Sequence, residues 1–83
     1  MEYLFNRKSI EELKKLPREI QLRIKNKLEF YMSSPDPLFF AERLTDFDLG
    51  EYRFRIGDYR VSFDVVVGIA KILKIGHRKD IYK

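Results

Sequence analysis

Arg53, Arg55 and Arg60 lie in two alternating runs, Glu51-Tyr-Arg-Phe-Arg-Ile56 and Tyr59-Arg-Val-Ser-Phe-Asp-Val65, joined by Gly57-Asp58. A Gly-Asp pair is compatible with a two-residue hairpin turn. With that turn, Ile56 pairs with Tyr59, Arg55 with Arg60, Phe54 with Val61 and Arg53 with Ser62. Strand side chains alternate between faces, so Tyr52, Phe54, Ile56, Tyr59, Val61, Phe63 and Val65 make an apolar surface. Arg53, Arg55, Arg60, Ser62 and Asp64 point the other way. Like charges directly opposite destabilise a sheet by roughly 0.2–1 kcal/mol. Three guanidinium groups on one face therefore predict an anion among them, and their planar forks suit phosphate. The competing explanation is an ion-paired face using Glu51, Asp58 or Asp64.

A second group closes the chain: Gly76-His77-Arg78-Lys79-Asp80-Ile81-Tyr82-Lys83, which contains the only histidine. Cleaving RNA through its own 2′-hydroxyl needs a base for that proton, cations for the charge on phosphorus, and an acid for the departing 5′-oxygen. Arginine supplies the cations, histidine is the side chain that ordinarily titrates nearest neutrality, and Tyr82 can stack on a base or move a proton. Strand parity raises an objection. Counting by twos from Ala70 and Ile72 puts Arg78 with the apolar face and Lys71, Leu73, Ile75 and His77 with the arginines. A bulge or strand end at Gly76 is predicted, since either would bring Arg78 to the arginine side.

The elements that must position these groups fit in 83 residues, which make one domain, 1–83, with a thin stability margin. With no cysteine there is no disulfide framework or thiolate metal site, which fits a reducing cytoplasm. Neither a secretory leader nor an apolar run of membrane-spanning length is visible, so a cytoplasmic protein without membrane contact is expected. The net charge is +4, and the excess lies wholly in residues 51–83, where eight basic side chains face four acidic ones. A basic predicted sheet points to a polyanion, nucleic acid first, against the plainer alternative of a solvated basic face.

The chain opens with an apolar strand, Glu2 to Asn6. Ser9 and Glu12 have capping-box spacing and predict a helix from Ile10, although Arg7-Lys8 can belong to an earlier first turn. Pro17 starts a second helix over 17–33, with Ile20, Ile24, Leu28, Tyr31 and Met32 on its buried face and Arg18, Arg23, Lys25 and Lys27 exposed. Ser33-Ser34-Pro35-Asp36-Pro37 ends it. Residues 38–50 read as an ordered loop with Phe39, Phe40 and Phe47 as anchors and room for a short strand around Ala41 to Leu44. The hairpin follows, then a turn at Val67-Gly68 and a last strand from Ile69 to Ile75, which places Asp64 opposite Lys71. The fold class is α+β: an N-terminal strand, a two-helix hairpin and a three-stranded antiparallel C-terminal sheet, helices on one face. The arginine face is expected to stay open.

These motifs, Tyr52-Arg-x-Arg-x-Gly-Asp-Tyr-Arg60 and Gly76-His-Arg-x-x-x-Tyr82, resemble the RelE/ParE superfamily of toxin–antitoxin toxins over nearly the whole chain. The resemblance implies a toxin held inactive by a cognate antitoxin, RelB-like and acidic. RelE-like members cut mRNA in the ribosomal A site, whereas ParE-like members poison DNA gyrase. The RelE-like site residues fall here on Arg53, Arg55, Arg60, Arg78 and Tyr82. The resemblance therefore implies an endoribonuclease, an mRNA interferase without metal or cofactor, with gyrase inhibition as the alternative. In this scheme Arg60 and Arg78 hold the scissile phosphate, and Arg53, Arg55 and Lys79 bind RNA. One departure stands out. The best-studied RelE pattern has lysines on the second strand, one of them assigned proton transfer, and arginine effectively cannot deprotonate. The base must then be His77, Tyr82 or Lys79. Some relatives carry a C-terminal helix that closes over the site, and none is expected after Tyr82.

Overall fold

Period-two alternation across residues 52–77 builds the centre of the fold. The computed structural model describes residues 1–45 and 50–81. Its elements are β1 (Glu2–Phe5), α1 (Arg7–Lys14), α2 (Arg18–Ser33), a 3-10 turn (Pro37–Phe40), β2 (Glu42–Arg43), β3 (Tyr52–Ile56), β4 (Tyr59–Val66), β5 (Ile69–His77) and the one-turn α3 (Arg78–Ile81). The sheet order is β1-β5-β4-β3-β2. β1 runs parallel to β5, and the other neighbours are antiparallel. This is the expected α+β arrangement, with the two-residue β2 added at one edge and the turn α3 at the end of β5.

Both hairpins have the expected register, Arg55 opposite Arg60 and Asp64 opposite Lys71. Alternation, shifted by one residue at Leu73, sends Phe54, Ile56, Val61, Phe63, Ala70, Ile72 and Ile75 to the face covered by Leu13 of α1 and by Ile24, Leu28 and Met32 of α2, all buried. Ile24, Leu28 and Met32 are spaced by four and form one stripe; burying each contributes about 1.5–3 kcal/mol. Phe54 stacks on Phe63 with ring centroids 4.6 Å apart, and Tyr31 of α2 lies 4.7 Å from Phe54. No described helix is long and apolar enough to cross a membrane.

Of the two starts open for α1, the structure has the earlier one, with Arg7 and Lys8 in the first turn. Asn6 is the N-cap and accepts from Ser9 N at 2.8 Å, so the helix begins at Arg7. Ser9 and Glu12 serve the sheet instead of a capping box. Ser9 Oγ, fully buried, donates to Asn6 O and Ile72 O, and Glu12 Oε1 accepts from Ile75 N at 3.0 Å. β1 pairs only with residues 69–72 of β5, so that carboxylate satisfies a strand N–H beyond the reach of β1. Of the expected aromatic anchors, Phe40 stacks on Tyr31 at 4.7 Å, Phe39 is 78% exposed and meets Phe40 edge-on at 5.4 Å, and Phe47 lies outside the described residues.

Candidate functional site

The Gly57-Asp58 turn needs a positive φ at its first residue, and Gly57 has φ of 60°. Closing the hairpin there puts Arg55 beside Arg60, yet the two guanidinium groups part. Arg60 curls back over the turn, its Nη1 donating to Gly57 O and Tyr59 O, each at 2.9 Å. Arg55 turns outward to Glu42 Oε1 at 3.3 Å. Arg53, directly paired with Glu42 across β2 and β3, donates through Nη2 to Glu42 Oε2 at 2.7 Å. The hydrogen bond from Arg53, aided by the charges of Arg53 and Arg55 and opposed by partial desolvation, holds the Glu42 carboxyl below its ordinary range. Glu42 is a residue that the sequence reading missed; its strand was anticipated, but nothing local shows which arginines a two-residue edge strand will meet.

Two of the acids considered as counterions serve the backbone instead. Glu51 Oε1 accepts from Val65 N at 3.1 Å, and Asp64 Oδ1 from Glu51 N at 2.8 Å. Asp58 faces Arg78.

The arginine side is not an open face, which corrects the expectation. Arg60 and Ser62 are each only 3% exposed, and the Arg53 side chain is 11% exposed; Arg55, at 63%, stands in solvent. Gly50, buried with φ of 103°, shows one reason. A Cβ there would lie 3.1 Å from Leu73 Cδ1 and 3.3 Å from Phe63 O, so the chain entering β3 crosses this side of β4 and β5. Arg60 is thus a buried cation with no carboxylate partner among the described residues. Its Nε and the Ser62 Oγ two residues on are both buried without a hydrogen-bond partner among the described residues. A buried ion costs several kcal/mol unless matched, and carbonyl dipoles at the turn are the match that Arg60 has.

The C-terminal group reaches the same turn by a different route from the expected one. The register shift in β5 falls at Leu73, since Ser62 pairs with Lys74 but Phe63 with Ile72. That bulge changes the parity of everything after it. Ile75, expected among the arginines, is buried in the core at 2% exposure, and Gly76 sits opposite Arg60. The strand ends at His77, and Arg78 N donates to Asp58 O at 2.7 Å while its Nε lies 3.6 Å from Asp58 Oδ1. Arg60 and Arg78 therefore meet at one two-residue turn. The same bulge moves His77 away from the arginines, contrary to its expected face. It pairs with Tyr59, its ring edge-on at 5.3 Å, and its Nδ1 accepts from Lys79 N at 3.1 Å. His77 lines a shallow trough with Glu12, Lys15 and Asp80 along the part of β5 that β1 leaves uncovered. Lys79 is exposed on α3, and Tyr82 lies outside the described residues.

A family model for the ParE toxin of type II toxin–antitoxin systems (parDE) matches residues 3–82. The fold is similar to a chain of the RelB–RelE antitoxin–toxin complex from Methanococcus jannaschii, at 27% identity and a TM-score of 0.74, covering 95% of this chain and 94% of that one. A chain of the toxin–antitoxin complex RelBE2 from Mycobacterium tuberculosis gives 25% identity and 0.75, covering 93% and 96%. A chain of the intact E. coli RelBE complex shares the fold at 16% identity and 0.62, covering 92% and 94%. Comparison with curated proteins by sequence gives no match.

Proposed function

The chain belongs to the ParE toxin family of type II toxin–antitoxin systems, within the RelE/ParE superfamily, and from that premise we propose that it is an endoribonuclease that cuts messenger RNA, acting on the ribosome in the A site. The observation that carries the reading is Arg60: a guanidinium buried without a carboxylate, one turn residue away from Arg78. A protein stabilised only by its own contacts gains little from such a cation, whereas a phosphorane-like transition state gains much from it.

In the proposed reaction the RNA 2′-oxygen attacks phosphorus as a base takes its proton. The bond to the 5′-oxygen breaks as that oxygen is protonated, and a 2′,3′-cyclic phosphate remains. Arg60 and Arg78 would neutralise the added charge on the phosphoryl oxygens. Arg53 and Arg55 would hold neighbouring phosphates after leaving Glu42, and Lys79 would extend the cationic rim. Proton transfer would fall to the Gly76-to-Tyr82 segment. His77 is its weaker member, because its ring faces Tyr59 and Lys79 N occupies its Nδ1. The partner would be a RelB-like antitoxin covering basic surface; the similar chains come from antitoxin–toxin complexes.

One observation favours the alternative, inhibition of DNA gyrase without cleavage: the matching family model is that of the ParE toxins. Induced expression followed by primer-extension mapping of transcripts separates the two, with Arg60→Ala as control. Cuts within codons that vanish in Arg60→Ala support the nuclease. Growth arrest with intact transcripts and DNA-damage signalling would overturn it in favour of gyrase.

A further inference from the structure

We propose that Arg23 of α2 is a third guanidinium of this anion site and binds the phosphate flanking the one on Arg60 and Arg78. The inference rests on the nuclease reading and extends it to a residue outside both C-terminal motifs. A Cβ built on Gly57 would lie 3.3 Å from Arg23 Nη1, so the Arg23 guanidinium sits over the β3–β4 turn. Arg60 Nη1 bonds Gly57 O at 2.9 Å and Arg78 N bonds Asp58 O at 2.7 Å. Guanidinium groups from α2, β4 and α3, elements far apart in sequence, therefore converge on two residues.

The charges around the turn do not balance. Asp58 is the carboxylate at this turn, and Arg78 Nε stands 3.6 Å from it. Arg23 is exposed and makes no ion pair among the described residues; Glu19, one helical turn earlier, lines the same groove without reaching ion-pair distance. An exposed arginine usually finds more by spreading into solvent than by crowding two like charges. An arginine held at such a place is matched by a ligand with more than one negative charge, and a polynucleotide supplies adjacent phosphates. Gly57 keeps the space for it, since any side chain there would press on Arg23 Nη1.

The test uses the purified chain and a fully 2′-O-methylated single-stranded RNA, which cannot be cleaved, with binding followed by fluorescence anisotropy over a range of salt. Loss of one phosphate contact on a single strand lowers the slope of log K against log salt by about 0.7. Arg23→Ala is expected to show that loss with an unchanged unfolding midpoint, and Arg23→Lys, which keeps the charge, to retain most of the slope. On ribosomes programmed with messenger RNA, Arg23→Ala should raise KM by a larger factor than it lowers kcat. If Arg23→Ala keeps the wild-type slope while Arg60→Ala loses affinity, the inference fails and the nuclease reading stands. If the wild-type chain binds no free RNA yet cuts messenger RNA on ribosomes, the inference fails alone; if it does neither, both fail. If Arg23→Ala weakens binding of the cognate antitoxin and leaves RNA binding unchanged, Arg23 belongs to a protein interface and the inference is overturned.

Discussion

Replacing Arg60 by methionine should abolish cleavage while leaving the fold about as stable as before. The residue is 3% exposed, Nε has no partner among the described residues, and two carbonyls 2.9 Å from Nη1 are its hydrogen-bond acceptors. Burying an ion costs several kcal/mol even after relaxation. Two hydrogen bonds from a charged donor return about 1.5–3 kcal/mol each, so the side chain stands near break-even. Methionine replaces the side chain out to about Nε, carries no charge and gives up both contributions together. It also removes the like-charge pairing with Arg55, a relief of roughly 0.2–1 kcal/mol. The expected net change is within about 1 kcal/mol, which in a domain of this size is about 4–8 °C in Tm. Activity should fall about 10²–10³-fold, the usual cost of removing one electrostatic stabiliser of a transition state. Thermal unfolding of the two purified proteins, with and without a non-cleavable RNA, checks both halves. RNA at a hundred times its Kd adds about 2.7 kcal/mol to the wild type, and most of that gain should be missing in Arg60→Met. A loss of more than about 3 kcal/mol without RNA would refute the reasoning, because it would mean that the turn carbonyls fully satisfy the cation and that Arg60 is structural.

Glu42→Gln should remove the carboxylate that Arg53 and Arg55 share and tighten RNA binding, read from anisotropy at fixed salt. Because the folded state holds the Glu42 carboxyl below its ordinary range, the pair's contribution is full above the unfolded-state pKa and is lost as pH falls through the lower folded-state value. With the Glu42 side chain 39% exposed, that contribution is under about 1 kcal/mol; urea unfolding at neutral and acid pH should show a slightly flatter acid limb in Glu42→Gln. Gly57→Ala should cost about 1–2 kcal/mol in denaturant unfolding, since φ of 60° disfavours any Cβ. His77→Ala should lower single-turnover cleavage by less than about tenfold, whereas a loss of 10²–10⁴ would restore His77 as the general base.

The hairpin was legible because its information is local. A two-residue turn sets register, register sets parity, and both Arg55 opposite Arg60 and Asp64 opposite Lys71 follow. Beyond Leu73 parity misleads, because a bulge depends on what the neighbouring strand and the core accept. Ile75 is drawn inward to the core and the extra residue falls at Leu73, three positions before the glycine where a bulge was expected. One inserted residue decides that Arg78 joins Arg60 and that His77 faces Tyr59. Glu42 and the burial of Arg60 were illegible for another reason. The place of Glu42 depends on where β2 meets β3, and the burial of Arg60 on how its side chain folds back over the turn; sequence patterning shows neither.

In the proposed site the four arginines would hold phosphate on unequal terms. Binding at Arg53 or Arg55 must displace Glu42, exchanging one anion for another, so the net gain is small and depends on salt. Arg60 would give up no carboxylate: it is already desolvated and held by two turn carbonyls, and a phosphate that reached it would collect electrostatic energy that water screens elsewhere. Arg78 lies between these cases, with its backbone fixed on Asp58 O and its Nε 3.6 Å from the Asp58 carboxylate, a separation easily given up. The outer pair is thus suited to reversible capture of the RNA backbone, and the inner pair to the charge that appears only as the phosphodiester breaks. The pairing of Arg55 with Arg60, unfavourable as sheet chemistry, is where those two tasks meet.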